Sequence, residues 1–348
     1  MTFKPGQLWL DDRGVPINAH GGGILRDGGS YYWFGEHKGP GWAGRLAQDG
    51  VHVYRSEDLY HWKDEGLALT VVDDPASPMA RGCRIERPKV LRCPATGQYV
   101  MWFHSSDEPH RLARSGVAVA DRVTGPYRFL RASRAVAGCW PVNVMPAQQN
   151  PESIRKAQAE GDAFPNGEND KAPTFNILGR DFAAGQMARD MTLFQDDDGR
   201  AYHVYASEHN STLHIAELSE DYLGHSGRYA RVFEHRWMEA PALFKHEGRY
   251  YLLMSGCTSW DPNPARSAVA DHIFGPWTEL GNPCCGPDAE TTFGCQSTFV
   301  LSGATTIALF DRWNAKNFVD SRYVWLPVTF TPTGYEIAWR DEWSLDEV

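Results

Sequence analysis

The sequence predicts an all-β fold, a five-bladed β-propeller. Three observations lead there: an aromatic and turn-rich composition, a hairpin pattern that recurs along the chain, and one position that stays in register from repeat to repeat. The 348 residues include 13 Trp, 14 Tyr and 16 Phe beside 33 Gly and 22 Pro, the usage of short strands and many turns rather than of helices. Hydrophobic residues make up 42% and charged residues 22% of the chain. That supports a packed core and excludes a disordered chain.

The hairpins come next. Four segments read as a turn glycine followed by an aromatic, apolar strand: Gly29-Ser30-Tyr31-Tyr32-Trp33-Phe34, Gly97-Gln98-Tyr99-Val100-Met101-Trp102, Gly199-Arg200-Ala201-Tyr202-His203-Val204 and Gly248-Arg249-Tyr250-Tyr251-Leu252-Leu253. Each follows a short strand that ends in charged or Gly-rich residues, which is a hairpin signature. The strands before these turns share a frame: an acid, then Pro or Thr two positions on, then an apolar residue four positions on. Glu86-Arg87-Pro88-Lys89-Val90, Asp190-Met191-Thr192-Leu193-Phe194 and Glu239-Ala240-Pro241-Ala242-Leu243 fit it, and Gln296-Ser297-Thr298-Phe299-Val300 and His20-Gly21-Gly22-Gly23-Ile24 fit with a neutral first residue. The step from lead residue to turn glycine is 9 for His20, Asp190 and Glu239, 11 for Glu86 and 7 for Gln296.

A third strand follows in Val51-His52-Val53-Tyr54-Arg55-Ser56, Gly116-Val117-Ala118-Val119-Ala120 and Ala268-Val269-Ala270. An aromatic after the next turn (Trp62, Tyr127, Trp277) opens a fourth strand. Four antiparallel strands repeated around an axis leave only short, protected sheet edges. The predicted blades are 15–70, 82–135, 188–233, 236–281 and 292–343, in one catalytic domain spanning 1–348. An insertion at about 139–186, with a short helix expected at Pro151–Glu160, is either a surface excursion or a lid over the central pocket.

The net charge of −10, without a Lys/Arg cluster, excludes the electrostatic footprint of a nucleic-acid binder. No run approaches the roughly 18–20 apolar residues of a membrane helix, so neither nucleic acid nor membrane is expected as a partner. Seven Cys at irregular spacing, with no CxxC, fit neither a disulfide framework nor a structural zinc site. The start, Met1-Thr2-Phe3-Lys4-Pro5-Gly6, has no apolar signal-peptide core. This predicts a cytoplasmic protein as written, or a periplasmic or secreted one if a leader has been removed.

In a propeller the residues leading the innermost strands converge on one central pocket. Glu86, Asp190 and Glu239 are therefore expected to face one another, with His20 and Gln296 on the remaining sides. Carboxylates around a pocket suit glycoside hydrolysis, in which one carboxyl protonates the leaving oxygen while a second group activates water or attacks the sugar. Neighbouring negative charge and burial keep the acid protonated near neutrality. Glu239 is the candidate acid, since Glu reaches further than Asp. Asp190, beside Arg189, is better suited to holding a sugar hydroxyl. Trp42, Trp140, Trp260 and Trp313 are candidate sugar-stacking platforms, although most Trp in a propeller fill cores between blades. Asp196-Asp197-Asp198 reads as a turn before Gly199.

These motifs, with Tyr31-Tyr32-Trp33-Phe34-Gly35-Glu36, Ile85-Glu86-Arg87-Pro88-Lys89-Val90, Arg189-Asp190-Met191-Thr192 and Ser255-Gly256-Cys257-Thr258, resemble glycoside hydrolase family 43, and within it the exo-β-1,3-galactanase branch. The resemblance implies an exo-acting enzyme that removes terminal β-linked galactose from an oligo- or polysaccharide, with inversion and without cofactor or metal. It implies Glu239 as general acid and Glu86 in the pKa-tuning position, or as base. The first-repeat Asp base of most of the family is absent, and in this branch a Gln at the position of Gln296 holds the nucleophilic water. The resemblance further implies sugar contacts from Glu36, Asp190 and Thr258, with His20 and Arg189 beside them. From the residues alone, Glu36 equally fits an ion pair with Lys38 or Arg45. His110 stands where the branch carries Tyr. A β-galactofuranosidase, α-L-arabinofuranosidase or β-xylosidase of the same family, and a non-catalytic carbohydrate-binding propeller, remain alternatives.

Overall fold

The computed structural model describes residues 1–107, 111–161 and 176–348; His110 and the middle of the insertion lie outside the described residues. Four sheets are four-stranded antiparallel meanders. They comprise β1 (His20–Asp27), β2 (Ser30–Glu36), β3 (Gly50–Ser56) and β4 (Lys63–Thr70); then β5 (Arg84–Arg92), β6 (Tyr99–Ser106), β7 (Arg114–Ala120) and β8 (Arg128–Ser133). The next two comprise β9 (Met191–Gln195), β10 (Ala201–Ser207), β11 (Thr212–Leu218) and β12 (His225–Val232); then β13 (Met238–His246), β14 (Arg249–Gly256), β15 (Arg266–Ala270) and β16 (Thr278–Gly281). After β17 (Cys284–Cys285) come β18 (Gln296–Leu301), β19 (Ile307–Arg312) and β20 (Arg322–Pro327), then β21 (Thr329–Thr331) and β22 (Gly334–Ala338).

The last six strands do not form the single fifth blade that the repeats predict. They make two three-stranded sheets, β18-β19-β20 and β17-β22-β21, so the propeller counts six blades rather than five. In the second sheet β17 runs parallel to β22, with Cys284 opposite Ile337. Two features explain the correction. The outer edge of β20 is engaged at Tyr323, whose carbonyl accepts the Gly6 N–H at 2.8 Å. The apolar residues Tyr335 and Ile337 instead join Phe244, Leu253, Val300 and Phe310 in one core between β13–β16 and β18–β20.

The first strands β1, β5, β9, β13 and β18 touch their neighbours in a closed ring, and this ring positions the site. Middle strands are sandwiched between sheets and are apolar on both faces: β14 is buried over seven of its eight residues, whereas β16 is exposed throughout. Aromatic packing seals the first sheet against β18–β20. Trp33 lies 4.8 Å from Trp325, and Phe3 stacks on Trp343 at 4.4 Å, where the two chain ends also pair through their backbones. Such ring pairs add roughly 0.5–1.5 kcal/mol each beyond area burial.

The helix expected at Pro151–Glu160 is present as α1, with the Asn150 carboxamide oxygen accepting the Glu152 and Ser153 N–H groups at its start. Flanking parts of the insertion run along the outer edge of β12, Val142 N–H donating to the Tyr229 carbonyl and Asn143 pairing with Arg231. They cover that edge. All seven cysteines are free thiols, and no helix among the described residues is long and apolar enough to cross a membrane.

Candidate active site

Each lead residue stands at a strand start where the chain has reason to bend. β-Bulges follow His20, Glu86, Glu239 and Gln296, interrupting the register at His20/Gly23, Glu86/Lys89, Glu239/Ala242 and Ser297/Phe299. A bulge re-aims the side chain before it. Gly21, Arg87 and Ala240, each one residue after a lead, adopt φ of 59°, 55° and 53°. Left-handed backbone at the two non-glycine positions costs on the order of 1–3 kcal/mol each. One carboxylate from the neighbouring repeat offsets it at each site. Asp311 Oδ2 accepts the Gly21 N–H at 2.6 Å, Glu36 Oε1 the Arg87 N–H at 2.9 Å, and Asp190 Oδ2 the Ala240 N–H at 3.1 Å. At position 21 a Cβ would collide with Glu36 Oε1, so glycine is required there. Beneath them the buried Lys89 ammonium donates to the Gly21 carbonyl at 2.9 Å, and burial pulls its pKa down to about 7.

The ring of lead residues floors a cavity of about 560 Å³ lined by Glu36, Glu86, Arg87, Arg189, Asp190, Glu239 and Gln296. Its walls come from the loops after the second strand of three repeats: His209 and Asn210, Cys257 through Trp260, and Trp313. Arg84 and Trp237 complete the lining. Of the predicted site residues, Glu36, Glu86, Arg189, Asp190, Glu239, Thr258 and Gln296 meet here. His20 does not. It is 1% exposed, its Nδ1 lies 3.0 Å from Asp311 Oδ1, and its ring stacks on Tyr323. As a substrate contact it is corrected: the ring turns back between β1 and β18–β20, where it braces the carboxylate that holds Gly21.

Of the candidate platforms, Trp260 and Trp313 line the cavity, 5.2 Å apart edge to face. Trp42 packs on Phe318, and Trp140 stacks on Phe182 within the insertion, of which no described residue lines the cavity. Asp196 to Asp198 lie elsewhere, tied by Lys245, Tyr250 and Arg200.

Glu239 is half-buried, its carboxyl set into the cavity floor. Its Oε1 accepts from Gln296 Nε2 at 3.0 Å and its Oε2 from Asn210 Nδ2 at 3.3 Å. Burial first, and the Asp190 carboxylate second, push its pKa up to about 8, against the pull of Arg87. Arg87 is committed elsewhere: Nε to Asp190 at 2.9 Å, Nη1 to the Ser297 carbonyl at 2.7 Å, Nη2 to Gln296 Oε1 at 2.6 Å. Gln296 Oε1 also accepts from Trp313 Nε1 at 3.1 Å, while Nε2 donates to Ser255 Oγ at 3.1 Å. Every hydrogen-bonding position of this amide is thereby filled and its orientation fixed.

Glu86 pairs with Arg84 Nη1 at 2.8 Å, and His104 Nε2 approaches it at 3.8 Å. Glu36 pairs with Lys38, both buried, so the ion pair read as a surface alternative exists within the site; burial raises the Glu36 carboxyl despite Lys38. Burial lowers Arg189, opposed by Glu239, Asp190 and Glu86. Thr258 stands exposed at the cavity mouth, its hydroxyl donating to the Asp261 carbonyl at 2.5 Å. No group of three or more His, Cys, Asp or Glu among the described residues could hold a metal ion.

A carboxyl with a raised pKa set among further acidic side chains, at the axis of a propeller, is the equipment of a glycoside hydrolase. The comparisons agree. The family model described as Glycosyl hydrolases family 43 matches residues 170–287. A solved family 43 β-1,3-galactosidase in complex with galactodeoxynojirimycin is 44% identical over 99% of this chain and 100% of its own, with a TM-score of 0.89. The exo-β-1,3-galactanase of Phanerochaete chrysosporium, solved with β-1,3-galactotriose, is 29% identical over 99% of this chain and 68% of its own, with a TM-score of 0.79. A β-D-galactofuranosidase of Aspergillus niger is 27% identical over 154 residues, 41% of this chain and 43% of that relative's length. The chain spans less than half of that curated relative in the match. It belongs to glycoside hydrolase family 43 and is a glycosidase.

Proposed function

We propose that the protein is an exo-acting β-1,3-galactosidase that releases terminal galactose with inversion. The observation that carries this reading is the Glu239 carboxyl, which lies at the cavity floor and keeps its proton at neutral pH because desolvation and Asp190 push its pKa up to about 8. Glu239 donates its proton to the departing glycosidic oxygen. Asp190 and Glu36, each anchored by a cation and a backbone amide, accept hydroxyls of the terminal sugar, with Thr258 at the mouth. Arg189 presents a guanidinium to the same face. Trp313, whose indole N–H fixes Gln296, lends an apolar surface to the ring of the sugar.

Gln296 orients the attacking water, which must displace one of the four partners that fill the amide in this structure. Its carbonyl already accepts two donors and is a weak base, so the water's proton passes to a carboxylate, for which Glu86 is the candidate. The 44% identity to a β-1,3-galactosidase along the whole chain supports the sugar and linkage. The Aspergillus niger relative makes β-galactofuranosides the competing substrate.

Anomer-resolved NMR of β-1,3-galactobiose hydrolysis tests the reading. Galactose released first as the α-anomer is expected. First release of the β-anomer removes the water-holding role from Gln296, and turnover confined to galactofuranosides overturns the substrate.

A further inference from the structure

We propose that Cys257 is a positioning residue for the proton donor: its thiol donates to the Glu239 carboxyl, fixes that carboxyl in the cavity, and sets the alkaline limit of activity. The inference rests on the reading of Glu239 as general acid. It starts from an oddity of composition: Cys257 is the one cysteine in the lining of the central cavity, in the loop directly after β14. Ser255, two residues earlier on the same strand, is the register partner of Glu239. The chain therefore carries Cys257 past the acid, and a hydrogen bond from its side chain to Glu239 lowers the pKa of that carboxyl.

What the acid needs from its surroundings explains the sulfur. Glu239 faces Asp190, Arg87 and Arg189 as charged groups, and Asn210, Gln296 and Cys257 as neutral donors. A donor fixes the carboxyl's rotamer, but each strong donor also favours the ionised form and so costs the proton that catalysis uses. Two carboxamides already donate. A thiol is a weak donor; it adds a third point of attachment with little bias toward ionisation. A serine hydroxyl at the same place would bias it more, and an alanine not at all. The residue at 257 thus trades rigidity of the acid against retention of its proton.

The test is the pH dependence of kcat/KM for wild type, Cys257→Ser, Cys257→Ala and Glu239→Gln. Each is assayed on an aryl β-galactoside with a poor leaving group, and its melting temperature is recorded to confirm folding. The alkaline limb is expected to move to lower pH in Cys257→Ser and to higher pH in Cys257→Ala, by roughly half a pH unit each way. Cys257→Ala also loses a few-fold in kcat. A residue that only fills space would shift neither limb. If the wild-type limb vanishes in Glu239→Gln but stays fixed, or moves the same way, in both Cys257 variants, the role of Cys257 is overturned while the acid stands. If the limb persists in Glu239→Gln, the acid assignment fails and the role of Cys257 with it.

Discussion

Two desolvated glutamates some thirty residues apart in sequence are held in opposite states. Glu208 directly follows β10, and Glu239 is the second residue of β13. Glu208 is 2% exposed and Glu239 half-buried, and loss of water raises a carboxyl in both places. Glu208 meets charge: Arg231 grips it at 2.6 and 2.8 Å, and His214 Nε2 adds a third contact at 2.9 Å, so its pKa falls to about 2. Glu239 meets neutral donors and the carboxylate of Asp190, and its pKa climbs to about 8. Burial alone therefore does not make an acid catalyst. The difference lies in where the nearby guanidinium spends its hydrogen bonds, since Arg87 is occupied by Asp190, Gln296 and Ser297.

The two residues also divide labour. Glu208, His209 and Asn210 all have left-handed backbone, with φ of 51°, 58° and 70°, a run that persists only when its surroundings over-determine it. The Glu208–Arg231 pair supplies that constraint, and the turn delivers Asn210 to Glu239 Oε2. A structural carboxylate thus holds in place a donor to the chemical one.

The comparison can be broken from either side. The largest expected effect is that of Glu239→Gln, which removes the proton donor without changing shape. It lowers turnover of a poor-leaving-group galactoside by about 10²–10⁴-fold. Because its raised pKa makes wild type lose stability as pH climbs from the ordinary 4.5 toward 8, the same variant melts higher than wild type at pH 8–9. A lower melting point there contradicts the account.

Arg231→Ala acts on the other member. It leaves Glu208 buried without its bidentate partner and costs roughly 3–5 kcal/mol in urea unfolding. The sign with pH is opposite to that of Glu239. A depressed pKa contributes stability above the ordinary value of 4.5 that is lost as pH falls through about 2. That contribution is roughly 3 kcal/mol in wild type and should be absent from the acid unfolding curve of Arg231→Ala. An unchanged acid slope removes Glu208 as the anchor.

The floor of the site was readable in the sequence because a repeat writes the same position several times: Glu86, Asp190, Glu239 and Gln296 share a frame, and all four line the cavity. His20 shares the frame and not the role, because the frame fixes a place on the strand while Asp311 and Tyr323 decide where the ring turns. The walls were readable only in part: Thr258, Trp260 and Trp313 were singled out, Asn210 and Cys257 were not given a role. Asn210 and Cys257 come from loops after second strands, whose lengths and residues differ in every repeat, and only the strand register shows that they surround Glu239. The blade count failed for a related reason: β17, β21 and β22 carry no lead residue, so counting repeats left β17 between blades and assigned β21 and β22 to the fifth.

The central claim is that burial and the neighbouring Asp190 carboxylate keep the Glu239 proton in place at neutral pH, against the pull of Arg87 and of the neutral donors. A ¹³C NMR titration of side-chain carboxyls in the glutamate-labelled protein, differenced against Glu239→Gln, reads this directly. The account predicts a carboxyl resonance with a midpoint near 8 that disappears in the variant. A Glu239 midpoint at or below the ordinary value of 4.5 would contradict it.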